Sequence, residues 1–305
     1  MKFYSHGKIL LTGEYAVLEG VKALALPTQR GQSIQINYTD EQTIAWRSYS
    51  AKNKVWIDCR FTFALECIEQ NQTDDLLVQQ LAHILLSVKK MAPNFYKQGV
   101  QIATFLEFDR DWGLGSSSTL IYNLAQWLQL NPYDLLESTF GGSGYDIAIA
   151  QHGLPLFYTR NGNTPGIKIV DFSPKFMDQL YFVHLNQKQK SSDAIQNFQQ
   201  QNKLTATHKK RLTSLGEAFL VAQSQNEFNE LLYEHEKITS EVLGELTVQA
   251  RLFSDFSGQI KSLGAWGGDF ILASGDNNTP AYFREKGFPT VIAYADFILK
   301  KNPLE

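Results

Sequence analysis

Residues Gly113, Leu114, Gly115, Ser116, Ser117, Ser118 and Thr119 combine two glycines with four hydroxyls in one short run. Glycine lets a backbone turn tightly and approach a ligand closely. The run lies between an expected strand over residues 100–106 and an expected helix over 119–130. A helix start aims free N–H groups and the positive end of its dipole at whatever precedes it. Hydroxyls at such a mouth can hold an oxyanion or a magnesium ion. The chemistry implied is polyphosphate binding, without the Gly-Lys-Ser/Thr of a Walker loop. Taken alone, the run reads equally well as an ordinary Gly-Ser loop.

Two charged residues stand in places where they could act on a bound phosphate. Asp146 follows the glycine-rich stretch Gly141, Gly142, Ser143 and Gly144, so its carboxylate could come close to a small substrate. The competing role is an N-terminal cap for a helical turn over 147–151. Lys8 precedes the apolar residues Ile9, Leu10 and Leu11, which lets its stem lie on protein while its ammonium reaches outward. Near a carboxylate base, such a lysine would stabilise developing negative charge. Alone, it reads as an edge-strand lysine in water.

Four segments taken together resemble the GHMP kinases, the superfamily of galactokinase, homoserine kinase, mevalonate kinase and phosphomevalonate kinase. The first is Gly7-Lys8-Ile9-Leu10-Leu11-Thr12-Gly13-Glu14-Tyr15. The second is the Gly113–Ser118 loop, and the third is Leu263-Gly264-Ala265-Trp266-Gly267-Gly268-Asp269. The fourth, Gly144-Tyr145-Asp146-Ile147-Ala148, is similar to the catalytic-aspartate segment of phosphomevalonate kinases and to a bacterial subgroup named after those five residues. Order and spacing agree over essentially the whole chain.

The resemblance implies an ATP- and Mg2+-dependent kinase acting on a small anionic molecule or alcohol, nearest the mevalonate/phosphomevalonate branch. Asp146 would be the base and Lys8 its partner. Gly113, Leu114, Gly115, Ser116, Ser117 and Ser118 would hold the nucleotide, with Ser117 the favoured magnesium ligand and Glu137 a second one. Glu14, Ser143, Gly144, Ser192, Trp266 and Gly267 would line the acceptor. Plainer readings stand beside these: an exposed helix glutamate at Glu137, a helix cap at Ser191 or Ser192, and N-capping serines at Ser116 and Ser117.

The chain departs from the family pattern in three places. Asp109 stands where a proline usually precedes the Gly-Leu-Gly. Only 29 positions separate Ser117 from Asp146, which favours a compact kinase. Trp266 replaces a glycine of the third loop, where an indole would fill space, stack on a ligand, or obstruct close backbone approach. The competing class is therefore a GHMP-fold nucleotide or metabolite binder that has lost turnover.

The elements that must position these residues form a mixed pattern. Strands are expected over residues 8–11, 15–18, 22–26, 31–38, 43–49, 55–61, 154–159, 167–172, 181–185, 270–274 and 290–297. Helices are expected over 74–90, 132–138, 145–151, 191–201, 207–223, 226–243 and 280–286. Leu77, Leu81, Ile84, Leu85 and Val88 recur at helical spacing and read as core. The pattern is α+β in two blocks, divided into 1–173 and 174–305. By resemblance, the first block would be like domain 2 of ribosomal protein S5 and carry the nucleotide, and the second would be ferredoxin-like.

Composition narrows the partners. The 305 residues are 43% hydrophobic, enough for two cores, with a formal net charge of −3 and a pI near 6.1. No basic stripe appears, so nucleic acid is not expected, and an S5-like RNA-binding role is disfavoured. Cys59 and Cys67 make no disulfide framework or metal-ligand spacing. No signal-peptide pattern or membrane-length apolar run is present, and a cytoplasmic protein is expected. A homodimer is allowed by the sequence and not required by it.

Overall fold

The computed structural model describes residues 1–300 apart from 72, 163, 188–197, 201–202, 265 and 267. Backbone contacts divide the chain into two compact units. One comprises Met1–Gly7, Arg30–Arg110 and Leu114–Gln151; the other comprises Lys8–Gln29, Asp111–Gly113 and His152–Glu305.

The first unit is built on residues 2–7 of β1 (Lys2–Leu10), residues 30–39 of β2 (Ala23–Thr39), β3 (Thr43–Tyr49), β4 (Val55–Thr62), β5 (Cys67–Gln70) and β6 (Gly99–Leu106). Their order is β5-β4-β3-β6-β2, with β1 paired to β2. All the pairs along that order are antiparallel except β3 with β6. Ile57, Cys59 and Phe61 alternate inward along β4, the period-2 signature of a sheet with one covered face. That face is covered by α1 (Asp75–Met91) and α2 (Ser116–Leu128), followed by α3 (Pro132–Glu137) and α4 (Tyr145–His152). The α1 helix starts where Asp74 accepts the Leu76 N–H and buries Val78, Leu81, Ile84, Leu85 and Val88. Each such side chain contributes about 1.5–3 kcal/mol of burial.

The second unit pairs residues 23–25 of β2 with β7 (Leu156–Thr159), which pairs in turn with β8 (Gly166–Ile169). Its other sheet contains β9 (Leu180–His184), β10 (Gln259–Ser262), β11 (Phe270–Ser274) and β12 (Val291–Ala293). The order β12-β9-β11-β10, antiparallel throughout, is that of a ferredoxin-like sheet. Between β9 and β10 come α5 (Ala206–Phe219), α6 (Gln225–Leu243) and the short α7 (Val248–Leu252). Helix α8 (Thr279–Glu285) precedes β12.

Two expected strands are corrected. Residues 15–18 are not extended, because Gly13 and Tyr15 both take positive φ and Ala16–Glu19 closes a 3-10 turn ended by left-handed Gly20. The run 290–297 is a strand only at Val291–Ala293; Tyr294–Phe297 then turns helical, with both of its end rings buried. The strands expected over 22–26 and 31–38 are one continuous strand, β2. Most of the helix expected over 191–201 lies outside the described residues.

Candidate functional site

The Gly113–Ser118 loop leads into α2 without a side-chain cap. Gly113 and Gly115 have φ of 64° and 89°, the left-handed region that favours glycine, and Gly115 is the N-cap. Ser118 Oγ donates back to the Gly115 carbonyl at 2.9 Å, and Thr119 Oγ1 lies 2.9 Å from the same oxygen. Those two hydroxyls therefore tighten the loop. Ser116 and Ser117 make no side-chain hydrogen bond among the described residues, and Ser117 is exposed. Neither caps the helix. Leu114 is buried and anchors the loop.

A polar brace fixes this helix start. Thr119 Oγ1 donates to Gln32 Oε1 at 2.7 Å, Asn123 Nδ2 donates to the Gln32 carbonyl at 2.9 Å, and Ser5 Oγ donates to Asn123 Oδ1 at 2.5 Å. All four residues are buried, so the satisfied network ties α2 to β1 and β2.

Asp146 lies in the first turn of α4, half-buried, after left-handed Gly141, Gly142 and Gly144. Its Oδ1 accepts the N–H of Ile147 at 3.0 Å. Ser143 is half-buried and Gly144 buried. Glu137 ends α3 and is exposed. Among the described residues no cluster of three His, Cys, Asp or Glu could hold a metal.

In the second unit, Lys8 Nζ donates to the carbonyl of Gly113 at 2.7 Å. A Cβ on Gly113 would lie 2.2 Å from Asp269 Oδ2, and one on Gly264 would lie 3.4 Å from the same atom. The Asp269 carboxylate is thus seated between a glycine of the second segment and a glycine of the third.

Glu14 is buried, with an ion pair to Lys261, and its second oxygen has no hydrogen-bond partner. Burial pushes its carboxyl up, and the attraction of Lys261 opposes that rise. Lys261 also faces Glu236 at 3.8 Å. His235 Nε2 accepts the Gly13 N–H at 3.0 Å, which makes it the unprotonated nitrogen. Burial, then the charge of Lys261, holds the imidazole well below its ordinary range. It is neutral, and its 3.6 Å approach to Glu14 is not an ion pair.

Trp266 is 4% exposed and packs with Tyr15, Leu212, Leu215, Ile238 and Val242. The indole is part of this buried apolar cluster. Ser192 and Gly267 lie outside the described residues. Lys261, Glu236 and His235 escaped the sequence reading, although a signal was present. His235 and Glu236 sit among the buried apolar residues Phe228, Leu232, Ile238, Val242 and Leu243 of α6, and Lys261 lies three residues before Gly264.

No family model matches the sequence, and no curated protein does. Solved structures do. The Methanococcus jannaschii mevalonate kinase is 16% identical, with 94% of each chain covered and a TM-score of 0.69. A Streptococcus pneumoniae phosphomevalonate kinase in complex with phosphomevalonate and AMPPNP is 18% identical, covering 97% of this chain and 96% of its own, at a TM-score of 0.65. The Lactococcus lactis galactokinase complexed with galactose is 15% identical, covering 96% and 93%, at 0.65. The chain therefore has the α+β fold of the GHMP kinases. Among the described residues, no helix is long and apolar enough to cross a membrane.

Proposed function

We propose that the chain is an ATP- and magnesium-dependent kinase that transfers the γ-phosphoryl group to an alcohol or a phosphate on a small anionic molecule, of the mevalonate or phosphomevalonate kind. The observation that carries this is the start of α2. Two left-handed glycines leave the helix uncapped by any side chain, with the Ser116 and Ser117 hydroxyls uncommitted to other described residues, inside a fold shared with such kinases. Phosphoryl transfer needs mainly positioning and charge neutralisation, which such a loop supplies.

In this reading Asp146 accepts or orients the proton of the acceptor hydroxyl. That role requires the carboxylate to act through its second oxygen or to exchange its bond with the Ile147 N–H. Lys8 fixes the loop through the Gly113 carbonyl and adds positive charge. Ser117 and Glu137 are the side chains that would meet magnesium. The lack of an acidic cluster among the described residues suits an ion that arrives on the nucleotide and takes only one or two protein ligands. Magnesium would neutralise phosphate charge during transfer. The division at 173/174 and a cytoplasmic location belong to the same proposal.

The test is product formation from ATP and a panel of mevalonate, phosphomevalonate, homoserine, shikimate and sugars. A phosphorylated product from one of them supports the reading. Tight Mg-ATP binding with no product from any of them would support the impaired binder instead.

A further inference from the structure

Trp266 is held through both of its nitrogens. Its backbone N–H donates to Tyr15 Oη at 3.0 Å, and its indole Nε1–H donates to Glu236 Oε1 at 3.3 Å. The other Glu236 oxygen accepts from Ser262 Oγ at 3.0 Å. Ser262 ends β10 immediately before Leu263 and Gly264. One carboxylate on α6 therefore grips the third glycine-rich segment on both sides of Gly264. All three side chains are buried.

The indole otherwise belongs to an apolar cluster with Leu212, Leu215, Ile238 and Val242. A buried N–H left without an acceptor is destabilising. Apolar packing is non-directional, and the Glu236 acceptor adds a directional contact to it. We propose that Glu236 is a positioning residue for Trp266 and Ser262, its carboxylate holding these two residues on either side of Gly264.

The charges around it make the hold sensitive to protons. Lys261 on β10 is the cation facing both Glu236 and Glu14, so two carboxylates share one ammonium. His235 is neutral, and burial pushes the Tyr15 hydroxyl up to about 12, so it too stays neutral; Glu14, Glu245 and Asp269 act on that hydroxyl by charge. Burial, countered by Lys261 and reinforced by Glu14, pushes the Glu236 carboxyl up to about 7. A proton on Glu236 removes acceptor capacity from one oxygen and loosens its grip on Trp266 or Ser262.

The experiment is 19F NMR of the full chain labelled with 5-fluorotryptophan. The chain has 5 tryptophans, and Trp266→Phe assigns the resonance of interest. The Trp266 resonance should shift between about pH 5.5 and 8.5, with a midpoint near 7, and Glu236→Gln should abolish that shift. A Trp266 resonance at the same position in the parent and in Glu236→Gln throughout this range, or one that titrates unchanged in Glu236→Gln, overturns the proposal. Should Glu236→Gln fail to fold, Glu236→Asp shortens the arm by one methylene and must displace the Trp266 resonance; an undisplaced one is equally fatal. Only the kinetic arm rests on the kinase reading. There, Glu236→Gln should remove the limb near neutrality from the kcat/KM profile, and Glu236→Asp should restore a limb. Absence of turnover in the parent would count against the kinase reading and leave the resonance to decide the role of Glu236.

Discussion

Lys261 and Glu14 form an ion pair with no solvent access, each side chain 0% exposed. The pair joins the segment after β1 to β10, two stretches 247 residues apart in sequence. A buried pair of this kind contributes little net stability compared with an apolar pair of the same shape, yet breaking it is costly. Removal of the ammonium would leave Glu14 and Glu236 buried together without a counter-charge.

Lys261→Met should therefore destabilise the chain by about 3–5 kcal/mol. The double variant Lys261→Met, Glu14→Gln should recover part of that loss, since it withdraws one of the stranded charges. Urea denaturation of the three proteins is the measurement. A loss below about 1 kcal/mol in the single variant would mean that water reaches the pair.

The pH dependence of stability has a defined sign. Glu236 moves from an ordinary value of 4.5 to about 7 in the folded chain. Between those values the folded state binds more protons than the unfolded state, so this group's contribution falls as pH rises from about 4.5 to about 7 and stays low above that. Glu236→Gln cannot ionise. Its melting temperature relative to the parent should be better at pH 8 than at pH 5, as scanning calorimetry at the two pH values would read. An unchanged difference between the two proteins would show that Glu236 does not titrate there.

Gly113→Ala tests the contact between the loop and Asp269. The added Cβ would meet Asp269 Oδ2 at 2.2 Å, and φ of 64° is unfavourable for alanine. Mg-ATP affinity should fall by about tenfold or more, the equivalent of 1.4 kcal/mol. Adding Asp269→Ala should return part of it if the clash dominates, and none if backbone strain does. Titration calorimetry separates the two.

Much of the fold was legible because its elements obey simple periods. The α1 helix shows Leu81, Ile84, Leu85 and Val88 at helical spacing behind an Asp74 cap, and β3 and β11 fall where their β-branched and aromatic residues lie. β10 was missed for a physical reason. Its sequence Gln-Ile-Lys-Ser looks like surface, yet Ile260, Lys261 and Ser262 are all buried because charges 25 and 247 positions away in sequence receive the lysine. The glycine loops were legible because glycine reports a local backbone demand. The Glu14–Lys261–Glu236 cluster was not, because a pairing across the fold leaves no spacing in the chain. Trp266 stood out as an anomaly, while Glu236, which orients it, looked like one more helix glutamate.

The decisive variant for the proposed chemistry is Asp146→Asn. The amide keeps the size of the side chain, and its oxygen can still accept the Ile147 N–H that Asp146 Oδ1 accepts at 3.0 Å. The start of α4 should survive, and the melting temperature should change little. What the amide lacks is the basicity to take a proton from an acceptor hydroxyl. General-base catalysis contributes about 10²–10⁴-fold, so kcat should fall by about 10²-fold or more while the Kd for Mg-ATP stays within about threefold. The affinity matters as much as the rate, since a nucleotide site built on Gly113, Gly115, Ser116 and Ser117 uses nothing that the substitution removes. If kcat remains within about fivefold of the parent, Asp146 serves only to begin α4 and another residue activates the acceptor. If Mg-ATP binding and the melting temperature collapse with the rate, the carboxylate holds the glycine turn itself, and its part in catalysis would have to be sought through a variant that leaves that turn intact.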